Sequence, residues 1–227
     1  MFFTSTKSKF LSICYLFSFI VLNTVAQVHQ TNRKEFLITR DMEAHAVMPV
    51  DTMGIILYRS YLGIKENQLE ITRLDTALQQ IYRGFLPVPK EFMLAHVKAN
   101  RSRIYFLFKG NSDQKGYLVI AVNILDGGYF SFPITNAIPF NATEFVVNRE
   151  SVIIGGYFNY RPVVIHYAMA TSQARALPGM LNLPGEITQL KSYPDGGFDV
   201  IISAKNLQAK KCIWVHHYDA KGDMIKT

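Results

Sequence analysis

The chain has 227 residues, 24 Lys and Arg against 17 Asp and Glu, a formal charge of +7 and 49% hydrophobic residues. That hydrophobic share excludes a disordered chain and supplies enough apolar material for a sizeable core. The basic residues are scattered, with Lys210-Lys211 and Arg101/Arg103 the closest groupings, which argues against the clustered basic face of a nucleic-acid binder.

The chain opens with Lys7 and Lys9, then the apolar run 10–22, then Thr24-Val25-Ala26. A charged start, a short apolar core and a small terminal residue predict a secretory signal peptide over 1–26, cleaved after Ala26. The run is shorter than the roughly 20 apolar residues of a spanning helix, so no transmembrane span is expected after cleavage. Cleavage removes Cys14 and leaves Cys212 alone, which excludes an internal disulfide. An exported protein without disulfides points to a bacterial envelope, with a periplasmic, cell-surface or extracellular destination. Residues 27–42 form an N-terminal segment in which 34–40 reads as a leading outer strand. Glu35, Asp41 and Glu43 make a small acidic group there.

From residue 43 a degenerate repeat of roughly 50 residues runs four times, over about 43–90, 91–140, 141–185 and 186–227. Each unit holds four parts rich in Val, Ile, Tyr and Phe, which predicts strands. The first parts are 43–51, 92–100, 143–150 and 186–195, and the second 54–60, 103–110, 152–158 and 197–204. The third parts are 69–75, 117–126, 162–170 and 212–220. The fourth are shorter: 78–85, 129–133, 174–177 and 224–227. The second parts begin their apolar cores at Ile55, Ile104, Val152 and Phe198, spaced by 49, 48 and 46 residues. Asp75, Asp126 and Asp219 recur after the third part, where they read as turn-forming residues between antiparallel strands. Pro87, Pro139 and Pro184 close the first three units.

Four antiparallel strands per unit of this length make the pattern of one β-propeller blade. Over about 185 residues the chain resembles the broad β-propeller superfold in period and strand pattern. It carries no Trp-Asp ending, kelch double glycine in register, Asp-box or NHL-type signature. The expected fold is an all-β propeller of four four-stranded antiparallel blades, an incomplete part of a ring of about six or seven. Such a part leaves the face of the last blade around Trp214 and Phe198 bare, which predicts poor solubility or self-association.

Propeller sites gather around the central channel. His45 and His96 lie 51 residues apart in the inner parts of neighbouring units, which makes them channel-face candidates for ligand binding. No metal or cofactor is expected. His216 and His217 are adjacent in a strand, so they point to opposite faces and cannot share one metal; one is expected packed and the other exposed. Tyr157, Phe158 and Tyr160 form a candidate aromatic platform for carbohydrate, and no Gly-x-Ser-x-Gly elbow occurs. The expected function is a secreted or periplasmic binding or scaffold module for a protein or glycan ligand. The alternative is a carbohydrate-active or other hydrolase with a channel-face site.

Overall fold

The computed structural model describes residues 32–36, 44–111, 116–135, 140–177, 185–206 and 208–227. Residues 32–36 belong to a separate N-terminal unit and form neither helix nor strand, with Arg33 and Glu35 paired at 2.7 Å. The expected signal peptide and the remainder of the expected leading strand lie outside the described residues.

The second unit is built from four four-stranded antiparallel sheets, each a continuous stretch of chain. The first blade holds β1 (Ala46–Pro49), β2 (Ile55–Tyr61), β3 (Asn67–Leu74) and β4 (Gln80–Val88). The second holds β5 (Phe92–Ala99), β6 (Arg103–Gly110), β7 (Tyr117–Asn123) and β8 (Tyr129–Ile134). The third holds β9 (Asn141–Val147), β10 (Ser151–Phe158), β11 (Arg161–Ala168) and β12 (Gln173–Ala176). The fourth holds β13 (Glu186–Ser192), β14 (Phe198–Lys205), β15 (Lys211–Tyr218) and β16 (Met224–Lys226). Among the described residues the helical content is one 3-10 turn, Asp51–Met53. The chain is thus an all-β protein of propeller blades.

The continuous apolar runs follow from burial on both faces. Successive residues of a strand point to opposite sides. On β6, Ile104, Phe106 and Phe108 pack toward the first blade, while Tyr105 and Leu107 pack toward the third. On β10, Val152 and Ile154 face the second blade and Ile153 faces the fourth. Each side chain so buried contributes roughly 1.5–3 kcal/mol. Three apolar cores result, each joining two consecutive blades. Approaches of β5 to β9 and of β9 to β13 place the first strands of the second, third and fourth blades in one inner column.

The parity of β14 corrects one expectation. Phe198, Val200 and Ile202 are fully buried against the third blade, so Phe198 is not bare. Trp214, opposite Ile202, is 37% exposed. The apolar surface of the other face is Ile213 and Val215 on β15.

Hydrogen bonds at the turns fix the blades to one another. Asp75 Oδ1 accepts from the N–H groups of Ala77 and Gln79, Asp126 Oδ1 from Gly128, and Asp219 Oδ1 from Lys221 and Asp223. These carboxylates hold turns, as their repeated position predicts. Arg73 of the first blade donates to Leu125 O of the second at 3.1 Å. Arg175 of the third donates to Lys221 O of the fourth, and His166 Nε2 lies 3.1 Å from Ala220 O. A neighbour's turn carbonyls thus receive the donors of the preceding blade.

Candidate functional site

Two consecutive junctions show how a cleft arises. Near the end of β6, Lys109 reaches across to the next blade and donates to Asn141 Oδ1 at 2.6 Å. Tyr157 occupies the corresponding place on β10, 48 residues on. Its hydroxyl accepts the N–H of Ile187 at 2.6 Å, which pins the ring against the entry of β13. Burial raises the phenol above its ordinary pKa.

The residues paired with these two differ. Lys109 pairs with Tyr117, and Tyr157 pairs with Pro162. Tyr117 closes the mouth of its junction. Its hydroxyl donates to Phe140 O at 2.7 Å and accepts from Ala142 N at 3.1 Å, and its ring packs 5.2 Å from Phe140. Pro162 is buried and has no such arm. Beside it lies an open cleft of about 1000 Å³, lined by Thr143, Tyr157, Asn159, Tyr160, Gly185, Glu186 and Ile187.

Each wall has a local cause. Asn159 and Tyr160 are the two-residue turn between β10 and β11, both left-handed at φ 47° and 63°. Two successive positive φ values are what a tight hairpin turn with the strands' own twist demands. Asparagine tolerates the first; the second is glycine's place, and here it carries tyrosine. The Tyr160 ring is 98% exposed. Gly185 brings the chain into β13 flush with β14, since a Cβ there would stand 2.7 Å from Ser203 O. Thr143 on β9 has its hydroxyl buried without a partner among the described residues. Glu186 is exposed at the start of β13. The site therefore combines one fixed aromatic wall, one solvent-facing ring, a carboxylate, an amide and an unspent hydroxyl.

The sequence-derived histidines sit elsewhere, and apart from each other. His45 lies on the face of the first blade that points away from the second, with Nε2 3.8 Å from Glu70 Oε2. Glu70 is 1% exposed and receives Arg59 Nε at 2.6 Å, Tyr61 Oη at 2.7 Å and Arg83 Nε at 2.7 Å. Burial pushes the Glu70 carboxyl up, but the bonds from Tyr61, Arg59 and Arg83 outweigh it and hold it below the usual range. Burial, with Arg59 and Arg83 adding to it against Glu70, lowers His45. His96 faces the third blade, its Nε2 3.3 Å from Ala142 O and its ring 6.4 Å from Phe145. The pairing register sets this difference, because matching positions of the two inner strands lie 50 residues apart and not 51. His96 pairs with Leu107, while Ala46, not His45, holds the matching pairing with Tyr58 in the first blade.

Of the adjacent histidines, His216 is buried, with Nδ1 3.1 Å from Thr227 Oγ1. His217 is half-buried on the other face, with Nδ1 2.6 Å from Asp199 Oδ1. Tyr193 donates to the second oxygen of Asp199. Burial raises the Asp199 carboxyl, yet the bonds from Tyr193 and His217 prevail and keep it low. The sequence gives no signal for this Tyr–Asp–His group, because its members come together only through the register of β13, β14 and β15. Among the described residues no three His, Cys, Asp or Glu side chains converge as metal ligands. Of the acidic N-terminal group, Glu35 is exposed and paired with Arg33, while Asp41 and Glu43 lie outside the described residues. Phe158, named with the aromatic platform, does not line the cleft; Tyr157 and Tyr160 do.

No family model matches the chain, and no curated protein matches it. Among solved structures, prolyl oligopeptidase B from Galerina marginata is similar at 16% identity and a TM-score of 0.46, over 79% of this chain and 24% of that one. A prolyl endopeptidase is similar at 11% identity and a TM-score of 0.49, over 79% and 25%. Cobalt-substituted Synechocystis apocarotenoid oxygenase follows at 9% identity and a TM-score of 0.45, over 80% and 48%. The chain spans about a quarter to a half of the length of these proteins, and at such identities and scores the likeness transfers no activity.

Proposed function

We propose that the chain is an exported binding module whose propeller blades present a ligand site to the envelope, periplasm or exterior, and that it does no chemistry on what it binds. The observation that carries this reading is the open cleft between the third and fourth blades, with stacking and hydrogen-bonding groups on its walls. The buried carboxylates nearest to histidines are already engaged. Glu70 is held by two arginines and a tyrosine, and Asp199 by a tyrosine and a histidine. A carboxylate so held is a poor proton carrier.

Export is tested by N-terminal sequencing of the product in its host: a chain starting at Gln27 is expected, and an intact Met1 in the cytosol sinks the idea. Binding is tested by placing a photoreactive benzophenone amino acid at position 160 of the exported chain. A light-dependent adduct in the host is expected. His45→Ala and His96→Ala are the controls for the two histidine candidates. Capture that survives both assigns the ligand to the cleft, and capture lost in either moves it to that histidine.

The hydrolase reading keeps one supporting observation, the Asp199–His217 pair, in which an oriented imidazole could take a proton. Turnover of glycoside or peptide substrates that disappears in His217→Ala would replace the binding reading.

A further inference from the structure

We infer that the cleft between the third and fourth blades takes a neutral saccharide, a short oligosaccharide laid against Tyr160 and Tyr157. This rests on the binding reading above and names its ligand class.

The size points past an ion. At about 1000 Å³ the cleft stands at the upper end of sites for small organic ligands. It suits an extended ligand entering from the blade end, where the turn Asn159-Tyr160 stands.

The chemistry narrows the ligand further. A pyranose ring has a C–H face that is apolar and a rim of hydroxyls that both donate and accept. A site for it needs a flat aromatic surface and mixed hydrogen-bonding groups within one ring's width. The cleft has both. Tyr157 offers a ring whose orientation is set by the Ile187 N–H on its hydroxyl. Tyr160 offers a ring that is almost wholly exposed. Thr143 has a hydroxyl that can donate and accept, Asn159 an amide that does both, and Glu186 a carboxylate able to accept from two neighbouring hydroxyls.

Two of these features lack a reason in the fold. Tyrosine at φ 63° in the second turn position is strained where glycine is not. Its ring packs nothing, being 98% exposed. A strained residue with an idle aromatic ring marks a place where the side chain is wanted for contact with something else. The Thr143 hydroxyl is the second: buried polar groups are normally bonded, and this one has no partner among the described residues. The assignment requires that a turn about χ1 bring this buried hydroxyl to the ligand.

The charge excludes the acidic relatives of such ligands. Among the described lining residues the single charged group is Glu186. A phosphate, a sulfate or a uronic acid placed beside it meets repulsion, with no cation among the described lining residues to offset it.

The test is calorimetric titration of the mature protein with neutral cello-, xylo-, malto- and chito-oligosaccharides, from disaccharide to hexasaccharide. Saturable binding to at least one series is expected, strengthening with length until the cleft is filled. Tyr160→Ala keeps the strained turn but removes the ring, and Thr143→Val keeps the shape but removes the hydroxyl. Each is expected to weaken binding by about tenfold or more with the thermal midpoint unchanged. Glu186→Gln is expected to weaken it less and to relax the discrimination against acidic oligosaccharides, which the unchanged protein leaves unbound. Binding indifferent to both Tyr160→Ala and Thr143→Val overturns the assignment. So does the absence of any oligosaccharide binding. In that event the benzophenone at position 160 separates the two claims: a captured polypeptide leaves the binding module standing without its sugar, and no adduct removes both.

Discussion

The junction between the second and third blades and the junction between the third and fourth are drawn on the same register and finish differently. The first buries fourteen residues in its core among those described, and the second nine. At the mouth of the first, Tyr117 bonds to Phe140 O and Ala142 N. At the mouth of the second, the equivalent place is Pro162, and a cleft opens beside it. The lesson concerns division of labour among near-identical units. A blade array is held by its apolar strand faces, so a junction can give up its mouth to a ligand provided the strands below still interlock. At the matching position the closed junction carries Tyr117 and the open one Pro162.

The largest effect is expected where the closed junction is densest. Phe145 is fully buried at its centre. Phe145→Ala should cost about 3–5 kcal/mol, read as a shift in the urea midpoint. A loss below about 1 kcal/mol would show that this core does not tie the second blade to the third, and would remove the contrast drawn above.

Acid should distinguish the junctions next. His166 stands at the open junction, stacked on Phe198 at 6.0 Å and bonded to Ala220 O. Burial lowers its pKa, Arg175 adds to the lowering, and the bond to Ala220 with Asp219 and Asp223 opposes it. The folded value lies below the unfolded one, so the unfolded chain binds the proton more tightly. Stability is then complete above the unfolded pKa of about 6.5 and is lost as the pH falls below it, at up to about 1.4 kcal/mol per pH unit for one proton. His45 and His216 are also held low by burial and add with the same sign. The assignment therefore needs His166→Gln, which should flatten part of the slope of unfolding free energy between about pH 8 and about pH 5. An unchanged slope would place the acid sensitivity in the other two histidines.

A pair of conservative changes sharpens the comparison at single-atom scale. Burial pushes the phenols of Tyr117 and Tyr218 up to about 12, so neither ionises near neutrality and their hydroxyls differ in bonding alone. Tyr117 Oη has two backbone partners; Tyr218 Oη, at the open junction, is buried with none among the described residues. Tyr117→Phe strands two buried backbone groups and should cost about 1–3 kcal/mol, whereas Tyr218→Phe should be neutral or stabilising by up to about 1 kcal/mol. Equal costs in thermal unfolding would mean that Tyr218 has a partner in solution.

Much of the array is written in the sequence because it depends on spacing. Ile104 and Val152 lie 48 residues apart and occupy matching strands of successive blades. The turn aspartates are legible for the same reason, since a local side chain bonding its own turn needs no tertiary information. The histidine column is not legible in this way. A spacing of 51 residues leaves His45 and His96 one residue out of step, because His96 takes the pairing that Ala46 holds in the first blade, and successive residues of a strand point to opposite faces. Asp199, Tyr193 and His217 are likewise invisible, because their meeting requires three strands in register. The cleft stands between these cases. Tyr157 and Tyr160 are visible as an aromatic group beside a turn, but Thr143 and Glu186 come from strands before and after it. The gap they share lies at the junction where Pro162 stands in place of the previous blade's Tyr117.

The smallest effect carries the sharpest reading of the open junction. Tyr160 holds a left-handed backbone that glycine adopts without cost. Tyr160→Gly should therefore stabilise the fold, by up to about 1 kcal/mol, seen as a small rise in the thermal midpoint. The ring packs on nothing, so its removal returns little loss to set against that gain. The same variant should lose the ligand of the cleft. A gain in stability joined to a loss of binding means that the turn keeps its strained tyrosine for contact with a ligand. A loss of stability would mean instead that the ring supports the fold through contacts made in solution, and the open junction would then be a structural feature like its closed neighbour.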